Sequence, residues 1–179
     1  PIVINGSGSI TGISAGGLPD GCVTADDLAS GVGGKVLQVL SVVDSSAQTT
    51  INSTSYTDAG SLSVAITPSS SSSKVLIMTT VNMRIYADHQ ETNGHSRLLR
   101  GSTELIEYPY FATFEAGKSP SNRIVLIKNH PQMYLDSPST TNATTYKVQL
   151  KMINTSYGQY MQYNQNSSSS VITAMEIAA

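Results

Sequence analysis

Apolar and polar residues alternate with a period of two along most of this chain. In Lys74–Ala87, KVLIMTTVNMRIYA, one alternate set reads Val75, Ile77, Thr79, Val81, Met83, Ile85. The other reads Leu76, Met78, Thr80, Asn82, Arg84, Tyr86 and turns polar toward its end. Successive side chains of a strand point to opposite faces, so this pattern predicts a long strand buried on one side and partly covered on the other. Lys147–Met152, KVQLKM, is cleaner, with Val148, Leu150 and Met152 against Lys147, Gln149 and Lys151. The same period predicts strands near 35–43, 49–57, 61–67, 74–87, 96–108, 123–128, 131–136, 144–154, 157–163 and 171–177.

Turn chemistry separates several of them: Pro68 followed by Ser69–Ser73, Asn93-Gly94, Gly117-Lys118-Ser119-Pro120, Ser137-Pro138, and Ser167–Ser170. Gly and Asn tolerate positive φ, and Pro forbids continued pairing. Many short strands with almost no helix predict an all-β fold, an antiparallel two-sheet sandwich of jelly-roll type.

Residues 1–34 follow a different pattern. They hold nine of the fourteen glycines and set short apolar pieces among Gly-Ser steps. Thr24 can cap a short helix, with Asp26 and Asp27 in its first turn and Gly31 at its stop. Such a segment cannot build a core alone. Ile2, Val3, Ile4, Ile10, Ile13 and Leu28 are too apolar for a free tail, so an extended Gly-rich leader that docks on a partner is expected. The chain thus divides into a docking leader, 1–34, and a β-sandwich head, 35–179.

Composition narrows the function. Only 12% of the residues are charged, with ten Lys and Arg against twelve Asp and Glu, so no basic surplus points to nucleic acid. Ser and Thr together make up roughly a quarter of the chain. No run approaches the ~18–20 apolar residues of a membrane-inserted helix. The N-terminal residues lack the basic-then-apolar pattern of a signal peptide. The single cysteine, Cys22, closes no internal disulfide, and three scattered histidines do not make a zinc framework.

The candidate chemical sites fall one by one. Asp88-His89-Gln90-Glu91-Thr92-Asn93-Gly94-His95 is the densest polar cluster, but a turn at Asn93-Gly94 splits its histidines, and it reads as a solvated hairpin loop rather than a metal site. Glu104 and Glu107 suggest a glycosidase pair, yet in an extended strand they fall on opposite faces. Gly12-Ile13-Ser14-Ala15-Gly16 matches the letters of a nucleophile elbow without the strand before it or the helix after it. Gly6-Ser7-Gly8 opens no helix for a dinucleotide. No catalytic residue, metal or cofactor is expected.

Two aromatic groups suit binding instead. Tyr108-Pro109-Tyr110-Phe111 with Phe114 is expected in a long connection, and Tyr160 on the exposed face of a strand whose other face carries Tyr157, Met161 and Tyr163. Tyr offers a flat apolar ring and a hydroxyl, fit for stacking on sugar rings or for anchoring a partner. With His89, Glu91, Asn93 and His95, these residues form the expected contact surface: Tyr108, Tyr110, Phe111, Phe114 and Tyr160.

Several strings resemble the C-terminal domains of small tail-fibre-like proteins of marine bacteriophages, cyanophages in particular. They are GGKVLQVLSVV (Gly33–Val43), TSYTDAGSLSVAITPSSSSSKVLIMTTVNM (Thr54–Met83), YLDSP (Tyr134–Pro138), TTYKVQLKM (Thr144–Met152) and ITAMEIA (Ile172–Ala178). The beginning of the chain is similar to the leaders of such proteins, and VTADDLASG to short repeats of trimeric fibre stalks. The resemblance implies a homotrimeric, non-enzymatic protein on the virion exterior, tail or capsid, with a jelly-roll-like head. Residues 1–34 would join it to other virion proteins. No functional residue is transferred by motif; His89–Ser96 and Tyr108–Pro120 fall where variable host-contacting loops would lie. Two functions follow as expectations: a tail-fibre-type adhesin, or a capsid decoration protein whose jelly roll braces its neighbours. A depolymerising tailspike lacks both a carboxylate pair and a β-helix repeat.

Overall fold

A computed structural model describes residues 35–88, 92–114 and 123–179. The docking role expected of 1–34, with Ile2, Ile4, Ile10, Ile13 and Leu28, lies outside the described residues, as do His89 and Glu91.

The described residues form ten strands: β1 (Val36–Asp44), β2 (Thr49–Ile51), β3 (Thr57–Ile66), β4 (Lys74–Asp88), β5 (Thr92–Arg100), β6 (Thr103–Phe114), β7 (Arg123–Asp136), β8 (Thr144–Met152), β9 (Tyr160–Tyr163) and β10 (Ser170–Ile177). Two single 3-10 turns, Ser156–Gly158 and Gln165–Ser167, flank β9. All strand pairings are antiparallel.

β4 is the spine of sheet A. β7 runs beside it for its full length, while its other side is shared by β10 along 74–80 and β9 along 83–86. β1 then pairs with β10, and β2 with β9. Sheet B has the order β3-β8-β5-β6. The order β1-β10-β4-β7 opposite β3-β8-β5-β6 is that of an eight-strand jelly roll, built from two Greek keys. β2 and β9 come from the β1–β3 and β8–β10 connections and extend sheet A beside the upper half of β4.

The core follows the period of two. Val75, Ile77, Val81, Met83 and Ile85 of β4 meet Tyr146, Val148, Leu150 and Met152 of β8, all buried, with Leu62, Val64 and Ile66 of β3, Ile172 and Ala174 of β10, and Tyr163 of β9 in the same cluster. Fully burying a side chain of this size contributes about 1.5–3 kcal/mol.

Polar groups tie the two layers together inside this core. Asp136 of β7 accepts from the Arg100 guanidinium (2.9 Å) and the Tyr146 hydroxyl (2.7 Å), both on sheet B. Gln132 donates to Ser96 across the sandwich. Asp44, 3% exposed at the end of β1, accepts from Ser46 N, Ser61 N and the Tyr163 hydroxyl at 2.7–2.9 Å. Asp136 and Asp44 each have their donors, which is the condition for burying a carboxylate at all.

Five local expectations are corrected. Residues 96–108 are not one strand: Gly101, at φ +58, turns the chain between β5 and β6. Asn93-Gly94 is not a turn but lies inside β5, paired with β6 and β8. Residues 108–114 belong to β6 rather than to a connection. Residues 123–136 form one strand despite Pro131, because β7 pairs on one side only and an edge strand tolerates a missing N–H. The expected strand at 49–57 is also reduced, to Thr49–Ile51, with Thr57 opening β3.

Candidate interaction site

Three surfaces carry side chains arranged beyond what the core requires. The first is the outer face of sheet B, opposite the buried row Tyr146, Val148, Leu150, Met152. A bulge at Leu105 shapes it. Leu98 pairs with Ile106 and Leu99 with Glu104, so Leu105 is the extra residue and the alternation resets. Glu104 and Glu107 consequently share this face, correcting the opposite-face expectation.

Their chemistry is that of a stabilised charge layer. Glu104 pairs with Arg97 at 2.8 Å. Glu107 accepts from the Tyr56 hydroxyl (2.5 Å) and from Nδ1 of His95 (2.9 Å), with the Lys151 ammonium at 3.5 Å. The Tyr56 and His95 bonds, aided by Lys151 against a smaller effect of burial, hold the Glu107 carboxyl at about 2. Burial and this carboxylate together push the Tyr56 hydroxyl well above its ordinary value. A carboxylate held that low stays ionised and offers no proton to a glycosidic oxygen. The Tyr56 ring is itself flanked by cations, with the Arg97 guanidinium carbon 4.1 Å and Lys151 Nζ 4.3 Å from its centroid. Asp58 binds Lys147 and Gln149 next to it.

The second surface is one end of the sandwich. β4 ends and β5 begins there, and β6 ends where β7 begins, so the connections 89–91 and 115–122 both leave from this end. Tyr110 sits beside it in a wide bulge: residues 109–111 lie opposite His95 alone, and Tyr110 takes φ +52. It is 58% exposed, its ring edge-on to His95 at 5.0 Å. On sheet A, Tyr160 stacks on Tyr86 with centroids 4.3 Å apart, and the Arg84 guanidinium lies 4.5 Å from the Tyr86 ring. Gln162 fixes that guanidinium, accepting from Nε at 3.0 Å and Nη2 at 2.6 Å.

The expected contact residues are therefore distributed unevenly. Tyr110 is exposed, and Tyr160 is half-buried in a tyrosine pair rather than free. His95 is buried beneath the charge layer. Asn93 is buried too, its carbonyl accepting from Ile153 N at 2.9 Å. Tyr108 donates to the Met133 carbonyl (3.0 Å) and packs edge-on to His130, bracing β6 against β7. Phe111 and Phe114 lie on β6, with side chains outside the described residues. Tyr86 and Arg84, which complete the tyrosine pair, were not singled out from the sequence; their signal is the polar end of the outer set of β4.

The third surface is the outer face of sheet A. Three rows cross β1, β10, β4 and β7 in register: Val43–Val171–Thr80–Pro131, Ser41–Thr173–Met78–Met133 and Val39–Met175–Leu76–Leu135. No position in these rows is charged. Val39 is 52%, Met133 63% and Leu135 50% exposed. Further up β7, Val125 and Ile127 continue the exposed apolar line.

Among the described residues, no three His, Cys, Asp or Glu side chains gather to hold a metal ion, and no helix is long and apolar enough to cross a membrane. No protein-family model and no curated protein matches this chain. Among solved structures it is similar to the VP2 subviral particle of infectious bursal disease virus, at TM-score 0.40 and 13% identity over 79% of this chain and 32% of that one. The T13 viral particle of that virus follows at TM-score 0.35 and 9% identity, covering 79% and 36% of the two chains. Its Gt strain gives TM-score 0.34 and 12% identity, covering 79% and 38%. The chain spans about a third of the length of these proteins.

Proposed function

We propose that this chain is a non-enzymatic structural protein of a bacteriophage virion surface, a tail-fibre-type adhesin that works as a homotrimer. The observation that carries the reading is the polarity of the jelly roll. β1 begins at Val36 opposite Ile177, near Lys74, at one end of sheet A. The end of β4, the start of β5, the end of β6 and the start of β7, with Tyr110 and the Tyr86–Tyr160 pair, belong to the other end. A head with Tyr110 and the Tyr86–Tyr160 pair at the end opposite the start of β1 suits a protein that touches a cell at that end. The resemblance of several strings to cyanophage tail-fibre-like domains agrees with the same reading. Tyr rings beside a fixed guanidinium suit the sugars of a surface polysaccharide, and three copies would add avidity to a weak contact.

The purified protein should compete with phage for adsorption to host cells. Unchanged adsorption at saturating protein would count against the adhesin. The three uncharged rows on the outer face of sheet A favour a second reading, a capsid decoration protein bracing its neighbours. Copy number separates the two: hundreds of copies per virion mean decoration, and at most a few dozen mean a tail component.

A further inference from the structure

We infer that Arg84, Gln162 and the Tyr86–Tyr160 pair, on the outer face of sheet A, form a binding site for a carboxylate-bearing sugar of an acidic polysaccharide. The inference deepens the contact surface of the proposed function and rests on that reading only for the source of the polysaccharide, a cell surface.

Arg84 carries a charge that no carboxylate balances. Of the three arginines whose side chains are described, Arg97 pairs with Glu104 at 2.8 Å and Arg100 with Asp136 at 2.9 Å. Arg84 is held by a neutral group instead, Gln162 Oε1 accepting from Nε and Nη2. Its cross-strand neighbours are Gln162 and Ile127, and the rows on either side, Tyr160–Tyr86–Val125 and Asn82–Asn129, are uncharged. The next acidic position in this alternate set of β4 is Asp88, four residues on and about 13 Å away at the rise of a strand, opposite Arg123.

The guanidinium is also oriented for a carboxylate. Gln162 occupies the edge formed by Nε and Nη2. Nη1 and the second Nη2 hydrogen make the other edge, a two-pronged donor that fits both oxygens of one carboxylate. Gln162 and the Tyr86 ring, 4.5 Å from the guanidinium carbon, fix the side chain beforehand, so binding costs little rotamer freedom.

The surroundings favour a sugar over an acidic peptide. β4 is paired on both sides here, by β7 and β9, so its main chain has nothing to offer an extended peptide. The stacked tyrosines and exposed Ile127 and Val125 supply flat apolar surface beside the charge, suited to the C–H face of a sugar ring. Space beside Tyr160 is open, since a Cβ at Gly158 would meet nothing within 4 Å. With a net charge of −2, the chain as a whole does not attract polyanions, so binding one requires a local site.

The test is binding of the purified full chain to alginate, polygalacturonate, hyaluronate and polysialic acid, each beside its carboxyl-reduced form. At least one acidic polymer should bind, and its reduced form should not. Binding to none of the four, or equal binding of the reduced form, overturns the inference. Arg84→Gln should weaken binding about 10-fold or more, and Arg84→Lys, which keeps the charge without the fork, by less. Tyr160→Ala should weaken it as well, and it decides if circular dichroism shows that Arg84→Gln has lost its fold. Lys147→Gln, on sheet B, should leave binding unchanged; a loss there with none at Arg84→Gln overturns this site. Polyglutamate binding as tightly as the sugar polymer overturns the assignment to a sugar. Binding through Arg84 by a chain that does not compete with phage upholds the site and refutes the adhesin. Competition by a chain that binds no acidic polymer refutes the site and leaves the adhesin standing.

Discussion

Asp44 shows how one buried residue organises its surroundings. Gly60, at φ +55, passes so close that a Cβ there would lie 2.5 Å from Asp44 Oδ2 and 2.6 Å from Tyr163 Cε1. Gly60→Ala should therefore combine left-handed backbone strain with a clash and destabilise the fold by about 3 kcal/mol. Gly101→Ala meets nothing within 4 Å and should cost only the backbone term, about 1 kcal/mol. Urea denaturation of both variants checks the contrast, and equal losses would contradict it. The carboxylates predict a pH dependence. Burial pushes the Asp44 carboxyl up, but the bonds from Ser46, Tyr163 and Ser61 outweigh it and hold the group at about 2. Glu176, buried on β10, is likewise raised by burial and brought down to about 2 by Gln38, Ser69 and Ser73. Both values lie below the ordinary carboxylate range, so the unfolded chain binds more protons in acid. Their stabilisation, about 2–3 kcal/mol each, is present above about pH 5 and lost as pH falls toward 2. The melting temperature should drop steeply from pH 5 to pH 2.5, and Glu176→Gln should flatten that drop. None of this was legible in the sequence, where Asp44 stands just past a predicted strand and Glu176 occupies one position in an alternating run. Burial of a carboxylate depends on donors far away in the chain, and local pattern does not reach them.

Among the elements, the β5–β6 hairpin separates what alternation can tell from what it cannot. β4, β8 and β10 were legible because their period of two runs unbroken against a fully buried face. The hairpin was not, since Leu98 and Leu99 place apolar residues on both faces and the bulge at Leu105 shifts the phase. Asn93-Gly94 carries turn chemistry, yet the irregularity beside it is taken by the facing strand, where Tyr110 adopts the left-handed conformation. The Tyr108–Phe114 aromatics were legible as a group but not as a strand. The apolar outer face of sheet A went unnoticed because β1 and β7 belong to distant parts of the chain, and only β10 and β4 between them make one surface. The bulge also yields a prediction, because it brings Glu107 to Tyr56, His95 and Lys151. Glu107→Gln should cost about 1 kcal/mol at low salt, a modest value for a partly exposed group. In 1 M salt, where screening shortens the reach of these charges, the loss should shrink by about half. Denaturation midpoints of the two proteins at both salt concentrations measure it. A salt-independent loss would mean that hydrogen bonding, rather than charge, fixes this hairpin.

For the molecule as a whole, chain order and sheet order conflict in a way that fixes how it folds. β1 is the first strand of the sandwich, yet its ladder partner is β10, the last. β10 also covers residues 74–80 of β4 and brings buried Ile172, Ala174 and Glu176 into the core. Before Ser170–Ile177 are available, β1 has no neighbour in sheet A, and half of β4 is bare on one side. Pairing residues that lie more than a hundred positions apart requires loop closure before any contact rewards it, so folding should be slow, on the scale of milliseconds to seconds. A chain ending at Ser169 should fail to form the sandwich at all. It should show no cooperative thermal transition, whereas the full chain should unfold in one. A peptide spanning 168–179, added in excess, should restore the transition by supplying the missing strand, since main-chain hydrogen bonds and alternate side-chain pockets on both neighbours are ready to receive it. The substitution Ala174→Asp in that peptide should abolish rescue, because it places a charge at a fully buried position. Val171→Asp, on the outer face, should reduce rescue far less. Should the truncated chain melt cooperatively without the peptide, β1 and β4 would be holding their places through sheet B alone, and β10 would be closing a sandwich that already exists.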